Sequence, residues 1–307
     1  MIFSERLQEA IESTGSVLLA GCDPVLTSLP GFLQNDAATG AFTDEQYVEY
    51  VLDAFVDIFI AGVAGRVAAI KPNIAFFEQF GLCGVRAFAR MCAKARARQL
   101  LIILDAKRGD IGSTAAAYSN AYLGRASVRG RKMAGFDCDA VTVNPFLGFD
   151  TLEPFVNDCI TYGKGIFVLV QTSNPGAHDL QGVTCDGITV SERIANWLHD
   201  HAESLRGDSG WSGLGAVIGA TYPEQAKNLR RLMPTNIFLI PGFGAQGAQA
   251  AEAVAGFGHT MEGKPGGAIV NVSRGLLNGS ASTHDEFVAL IAKNATALNA
   301  QLIAALS

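Results

Sequence analysis

The reactive chemistry of this chain concentrates in one short run, Asp105-Ala-Lys-Arg-Gly-Asp110. If its first residues extend a strand, Asp105 and Lys107 share a face, because alternate strand residues point the same way. A lysine held between carboxylates keeps its ammonium form, since opposite charges a few ångströms away stabilise it. Such a lysine donates protons and is not the free amine that attacks a carbonyl. A second lysine, Lys71, closes an apolar run and is followed by Pro72 and Asn73. Near the C-terminus, Pro241-Gly-Phe-Gly-Ala-Gln-Gly247 is a glycine-rich loop, and Ser273-Arg-Gly275 carries a guanidinium. A glycine loop entering a helix can turn backbone N–H groups toward a phosphate, and an arginine holds phosphate through two parallel hydrogen bonds.

Something must bring these segments together. Eight runs rich in large apolar or β-branched residues recur at Val17–Asp23, Arg66–Lys71, Leu100–Lys107, Ala140–Asn144, Gly165–Gln171, Gly215–Ala220, Asn236–Pro241 and Ala268–Ser273. They are continuous rather than alternating, the pattern of strands buried on both faces of a parallel sheet. Helical periodicity fills the gaps at Thr43–Ala61, Val85–Arg98, Ser113–Met133, Thr151–Tyr162, Ser191–Leu205, Pro223–Leu232, Ala245–Phe257 and His284–Leu306. Thr43 and Gln46 make a capping box, and Pro223 suits a first turn. Strand then helix, eight times, predicts a single (β/α)8 TIM barrel spanning residues 1–307. An open doubly wound sheet is less consistent, because no GxGxxG follows the first strand. Residues 24–42 and 173–187 read as long loops, which in compact domains often bind ligands.

Barrel active sites lie at the C-terminal ends of the strands. The ends of these strands carry Asp23, Lys71 with Asn73, Asp105 with Lys107, Asn144, Ser173 and Arg274, so several charged and polar groups converge on one mouth. The glycine loop with Arg274 falls after strands 7 and 8, where many barrels bind phosphate.

With these residues in place, the run Leu104-Asp-Ala-Lys-Arg-Gly-Asp-Ile-Gly-Ser-Thr114 resembles the signature of the orotidine 5′-phosphate decarboxylases. The fragments Lys71-Pro-Asn-Ile-Ala-Phe-Phe-Glu-Gln-Phe-Gly81, Val143-Asn-Pro-Phe-Leu-Gly148, Thr172-Ser-Asn-Pro-Gly-Ala177 and Asn271-Val-Ser-Arg-Gly275 resemble the longer bacterial branch of that family. The resemblance runs from the first strand to the last. It implies conversion of orotidine 5′-phosphate to uridine 5′-phosphate and CO2 without metal or organic cofactor. Lys71, Asp105, Lys107 and Asp110 would form an alternating charge network beside the scissile carboxylate, with Lys107 protonating C6. Asp23 and Asn73 would address the ribose or the network, Ser173 the pyrimidine, and Gln246 and Arg274 the phosphate, with Asn144 a further substrate contact. Asp110, Ile111 and Thr114 would reach into the neighbouring subunit's site, which implies a homodimer. This sequence departs from shorter members in its first loop and in the loop after strand 7.

Composition agrees with an enzyme of this size: 49% hydrophobic and 17% charged residues with net charge −6, and a mean hydropathy of +0.24. That charge gives no reason to expect nucleic acid or an anionic membrane as partner. Six cysteines and five histidines show no zinc-ligand spacing, so buried reduced thiols are expected. The amphipathic N-terminal segment is unlike a signal or transit peptide, and no apolar run approaches the roughly 18 residues of a membrane span; the expected location is the cytoplasm. Three alternatives stay open. They are a metal-dependent phosphosugar lyase or synthase using Asp105 and Asp110, a Schiff-base aldolase using Lys71 or Lys107, and a catalytically silent phosphosugar binder.

Overall fold

The computed structural model describes residues 1–35, 40–244, 247–260 and 262–307. Its frame is eight parallel strands: β1 (Leu18–Cys22), β2 (Ala69–Pro72), β3 (Ile103–Arg108), β4 (Ala140–Val143), β5 (Gly165–Gln171), β6 (Ser212–Ile218), β7 (Asn236–Ile240) and β8 (Ala268–Val272). They lie in the order β2-β1-β8-β7-β6-β5-β4-β3. The ring closes between β3 and β2 through bridges pairing Ile70 with Ile102 and Asn73 with Asp105. The fold is the (β/α)8 barrel that the eight apolar runs predict.

The continuity of those runs follows from burial on two sides. Along β7, Ile237 and Leu239 point into the barrel with Leu19, Ile103, Phe167 and Ile269, whereas Phe238 and Ile240 face the outer layer with Phe55, Phe59 and Phe88 of the helices. An N-terminal helix, α1 (Phe3–Thr14), closes the end of the barrel opposite the strand C-termini. Its fully buried Phe3 meets Phe167 edge to face at 5.9 Å. Arg6 ties it down through Asp139 and the Gly163 carbonyl, while Asp139 also accepts the Ile102 N–H at 2.8 Å. One end is thus sealed by apolar packing, which leaves the other as the place for a site.

The surrounding helices are α2 (Asp44–Val63), α3 (Gly81–Ala97), α4 (Gly112–Tyr122), α5 (Glu153–Tyr162), α6 (Val190–His201), α7 (Pro223–Leu232) and α8 (His284–Leu306). The Thr43–Gln46 capping box at the start of α2 forms in both directions. Two expected helices are corrected. The Ser113–Met133 segment stops at Tyr122 and continues as a hairpin, Arg125–Val128 with Arg131–Ala134. Its turn is Arg129-Gly130, both at positive φ (50° and 76°), the geometry that matches strand twist in a two-residue connection. Among the described residues of the Ala245–Phe257 segment, only Ala250–Ala253 is helical. Gly244, at φ 73°, instead folds back and donates to the Ala248 carbonyl at 2.9 Å. The 24–42 and 173–187 loops carry short turns of their own, including a hairpin of Thr184–Cys185 with Ile188–Thr189. Five cysteines are buried and unbridged, but Cys185 is exposed on that hairpin, contrary to expectation.

By length and composition alone α8 could cross a membrane, since it has 23 residues with a mean hydropathy of 1.3 over its most apolar window; the expectation that no segment reaches that length is corrected. Its contacts show what it does in this fold. Phe287, Ile291, Ala295 and Leu302 are buried against the barrel. Asn294 donates to the carbonyls of Leu276 and Asn278, and Asn299 bonds Gly15 O and Val17 N–H.

Elsewhere in the helical layer, Arg230 of α7 donates to the carbonyls of Gly256, Met233, Asn236 and Gly267 at 2.8 to 3.0 Å. Its guanidinium also lies 3.6 Å from the Phe238 ring centroid, close enough for cation–π attraction. It therefore joins α7 to the first residues of β7 and the approach to β8. Arg230→Met, which keeps the stem and deletes the donors, is expected to lower unfolding free energy by about 2–4 kcal/mol by leaving these carbonyls unpaired. A urea titration should show a lower midpoint with an unchanged slope.

Candidate active site

At the open end of the barrel a cavity of about 690 Å³ is lined by Asp23, Lys71, Asn73, Asp105, Lys107, Ser173 and Arg274, drawn from β1, β2, β3, β5 and β8 and the turns after them. Such a volume falls within the range of small-ligand sites. Asp105 is the hub. One carboxylate oxygen accepts from Lys71 Nζ at 2.7 Å, and the other from Lys107 Nζ at 2.5 Å. Lys71 is only 4% exposed, whereas the Lys107 side chain is about half open to the cavity (49%). Burial by itself would raise the Asp105 carboxyl, but the two ammonium groups outweigh it and hold the group far below the usual carboxylate range.

This arrangement keeps the Asp105 carboxylate ionised. Two cations share one anion, so the centre carries a net positive charge, inside a chain whose overall charge is −6. Two lysine ammonium groups engaged with a carboxylate are poor Schiff-base nucleophiles. Both Asp105 oxygens are already occupied by ammonium groups, which is a poor donor for a metal ion. Among the described residues no three His, Cys, Asp or Glu side chains converge.

Asn73 Oδ1 caps the next turn by accepting from Ala75 N–H at 3.2 Å, and Arg274 begins a short 3-10 turn, Arg274–Leu277. Gly242 and Phe243 line the cavity wall. The expected glycine-rich phosphate cradle is less open than the sequence suggests, because the N–H groups of Gly244 and Gly247 both bond within the loop. Gln246 lies outside the described residues.

Four of the sequence-predicted residues do not line the cavity in this chain. Asp110 Oδ1 accepts from the Ile111 N–H at 2.8 Å, Ile111 is 62% exposed, and Thr114 is exposed as well. Asn144 Oδ1 accepts from Phe146 N–H at 3.0 Å.

A comparison with protein-family models matches residues 51–283 to the orotidine 5′-phosphate decarboxylase / HUMPS family. The chain belongs to that family. Curated orotidine 5′-phosphate decarboxylases from Rhodopirellula baltica and Deinococcus radiodurans are 42% and 46% identical to it. Those matches cover 90% and 91% of this chain, and 88% and 92% of the relatives. Among solved structures, the OMP decarboxylase of Leishmania donovani superposes with a TM-score of 0.72 at 27% identity, covering 99% of this chain and 98% of that one. The likeness to family members therefore runs along nearly the whole length of the chain.

Two further lining residues escaped the sequence analysis. Asn271 on β8 has a buried side-chain oxygen with no donor among the described residues, as does Asp23. Asn271 stood inside a fragment that carried the family resemblance, but nothing in its spacing distinguished it from a strand residue. Thr142 on β4 is 2% exposed, and its hydroxyl bonds Asp105 Oδ1 at 3.2 Å. Within Val-Thr-Val it reads as one more β-branched residue of a buried strand.

The lowered Asp105 carboxyl links the site to stability. The unfolded carboxyl, near pH 4, takes up a proton before the folded one does, so the ion pairs stabilise fully above that pH and progressively less below it. Asp105→Asn should therefore lose about 3 kcal/mol at neutral pH, leaving buried Lys71 without its counter-ion. The difference from wild type, followed by urea unfolding, is expected to stay flat down to about pH 5 and to narrow below about pH 4.

Proposed function

We propose that this chain is a carboxy-lyase that converts orotidine 5′-phosphate and a proton to uridine 5′-phosphate and CO2, a step of pyrimidine nucleotide synthesis, with Lys107 as the proton donor. The observation that carries this reading is the Lys71–Asp105–Lys107 chain at the mouth of a family barrel. Loss of CO2 leaves the bonding electron pair at C6, in an orbital that the pyrimidine π system does not delocalise. Stabilisation must then come from a fixed positive charge beside C6. Lys107 supplies that charge, transfers its proton to C6 and is reprotonated from solvent.

The remaining contacts follow from unsatisfied groups and position. Asp23 and Asn271 offer buried acceptors, and ribose hydroxyls are donors that would satisfy them. Arg274, beyond β8, suits the phosphate, with Gln246 and the glycine loop beside it. Ser173 and Asn73 face the base and sugar from the other walls, and Asn144 is an outer contact. Binding the phosphate remotely would supply free energy for closing the loops over the ring. No cofactor is required in this scheme, and we assign the reaction to the cytoplasm.

We further propose a homodimer in which Asp110, Ile111 and Thr114 complete the partner's site. Support comes from the rim, where Ile111 (62% exposed), Phe146 (76%) and Leu147 (51%) are large apolar side chains facing outward. They flank the cavity on the loops after β3 and β4, and a second copy would cover them.

Purified protein with orotidine 5′-phosphate in excess EDTA is expected to lose the orotate absorbance and form uridine 5′-phosphate. Lys107→Ala should nearly abolish that turnover while still binding the product; substantial residual rate would remove Lys107 from the proton-donor role. Mixing inactive Lys107→Ala with inactive Asp110→Asn tests the shared site. Random re-pairing of subunits gives half heterodimers with one intact site each, so about a quarter of wild-type activity should return. No recovery after verified subunit exchange would place Asp110 in its own subunit's site.

A further inference from the structure

The geometry points to Thr142 as the positioning residue that shapes the reactive segment of β3 and aims Asp105 at both lysines. The inference rests on the decarboxylase reading for its consequence, and on the backbone for its origin. β3 and β4 pair with Leu104 opposite Val141 and then with Arg108 opposite Val143. Three residues of β3, Asp105, Ala106 and Lys107, therefore stand against Thr142 alone. This is a β-bulge, a device that re-aims side chains and recurs beside active sites. Within it Lys107 has φ of 49°, a left-handed conformation that residues with side chains adopt rarely and that persists only where the surroundings over-determine it.

A bulge takes backbone N–H groups out of register with the carbonyls of the neighbouring strand. Here the Ala106 and Lys107 N–H groups both donate to Thr142 Oγ1, at 3.0 and 2.9 Å. The same hydroxyl bonds Asp105 Oδ1 at 3.2 Å, as donor. A hydroxyl has one proton to give and two lone pairs to accept with, so Thr142 is saturated by this one turn of chain. Both N–H groups are provided for, the left-handed Lys107 is held, and the carboxylate oxygen that accepts Lys107 Nζ is bonded by the hydroxyl as well. Because the network hangs on one oxygen, a valine of nearly the same shape would remove all three bonds and leave the apolar packing in place.

Since Thr142 acts through Asp105 and Lys107, its loss should appear in the chemical step more than in anchoring of the phosphate. Thr142→Val is expected to lower kcat about 30-fold, with KM and uridine 5′-phosphate affinity within about 3-fold, as for a small misplacement of reacting groups. Thr142→Ser, which restores the hydroxyl without the methyl, should return kcat to within about 3-fold of wild type. A Val variant with kcat near wild type overturns the assignment, and so do Val and Ser variants impaired alike, which would make the methyl the important group. If the Val variant does not fold, Thr142→Cys, a weak donor and acceptor of similar size, takes its place, and wild-type kcat from it overturns the assignment equally.

Amide hydrogen exchange at Ala106 and Lys107 reads the bulge without turnover. Protection should fall in the Val or Cys variant and persist in the Ser variant; protection unchanged by loss of the hydroxyl overturns the inference. A wild-type protein that does not decarboxylate would instead remove the decarboxylase reading, and the exchange result would still decide the role of Thr142 in the bulge.

Discussion

Everything distinctive about this molecule depends on keeping Asp105 ionised in a place where water cannot do so. Burial opposes the charged form, and only two ammonium groups at hydrogen-bond distance reverse the balance. The arrangement works in both directions, because Lys71 at 4% exposure is itself tolerable only beside an anion. An ion pair closed on itself would be chemically inert. The second lysine breaks that symmetry: Lys107 shares the carboxylate yet remains half open to the cavity, so one positive charge in the set is presented to a ligand. Such a centre favours an anion, and still more a negative charge that develops on a carbon during reaction.

The barrel earns its place by holding these groups on different strands that cannot move independently. Lys71 and Asp105 occupy β2 and β3, the two strands that close the ring, and the bridge between Asn73 and Asp105 lies beside their ion pair. Next to β2 in the ring, β1 and β8 approach so closely that a Cβ at Gly21 would sit 1.9 Å from Ser273 Oγ; glycine there leaves room for Ser273 and Asn271 at the cavity wall. The opposite end is filled by Phe3, Leu7 and Trp211. Polarity is thus segregated along the barrel axis, with the apolar end giving stability and the polar end giving function.

Much of this was legible in the sequence, for a physical reason. Strands buried on both faces must be apolar throughout, so Asn236–Ile240 or Gly165–Gln171 could be recognised by continuity, and a charge that ends such a run marks the mouth. Lys71, Asp105 and Lys107 were found in this way. Legibility failed where local chemistry overrides periodicity. The Arg129-Gly130 turn converts a helical-looking stretch into a hairpin, and the glycines around residue 244 spend their N–H groups inside their own loop. The rule that Asp105 and Lys107 share a face gave the right outcome through the wrong geometry, since a bulge and not a regular pleat brings both to the cavity. Residue spacing cannot express a hydroxyl on a neighbouring strand that accepts two N–H groups.

Asp110 follows the bulge by three residues, yet it bonds its own loop and stays out of the cavity that Asp105 and Lys107 line. A Cβ on Gly109 would meet the Asn144 carbonyl at 2.8 Å, so the loops after β3 and β4 are pressed together and have little freedom to fold Asp110 inward. On the same two loops Ile111, Phe146 and Leu147 are large apolar side chains exposed to solvent. In the proposed dimer, another barrel mouth would cover these side chains, with the hydrophobic contact supplying the association free energy and the Asp110 carboxylate delivered across it. On the proposed reading, the bulge that turns Lys107 inward also sets the direction in which the chain leaves β3, so one local distortion would serve the site of its own subunit and that of the partner.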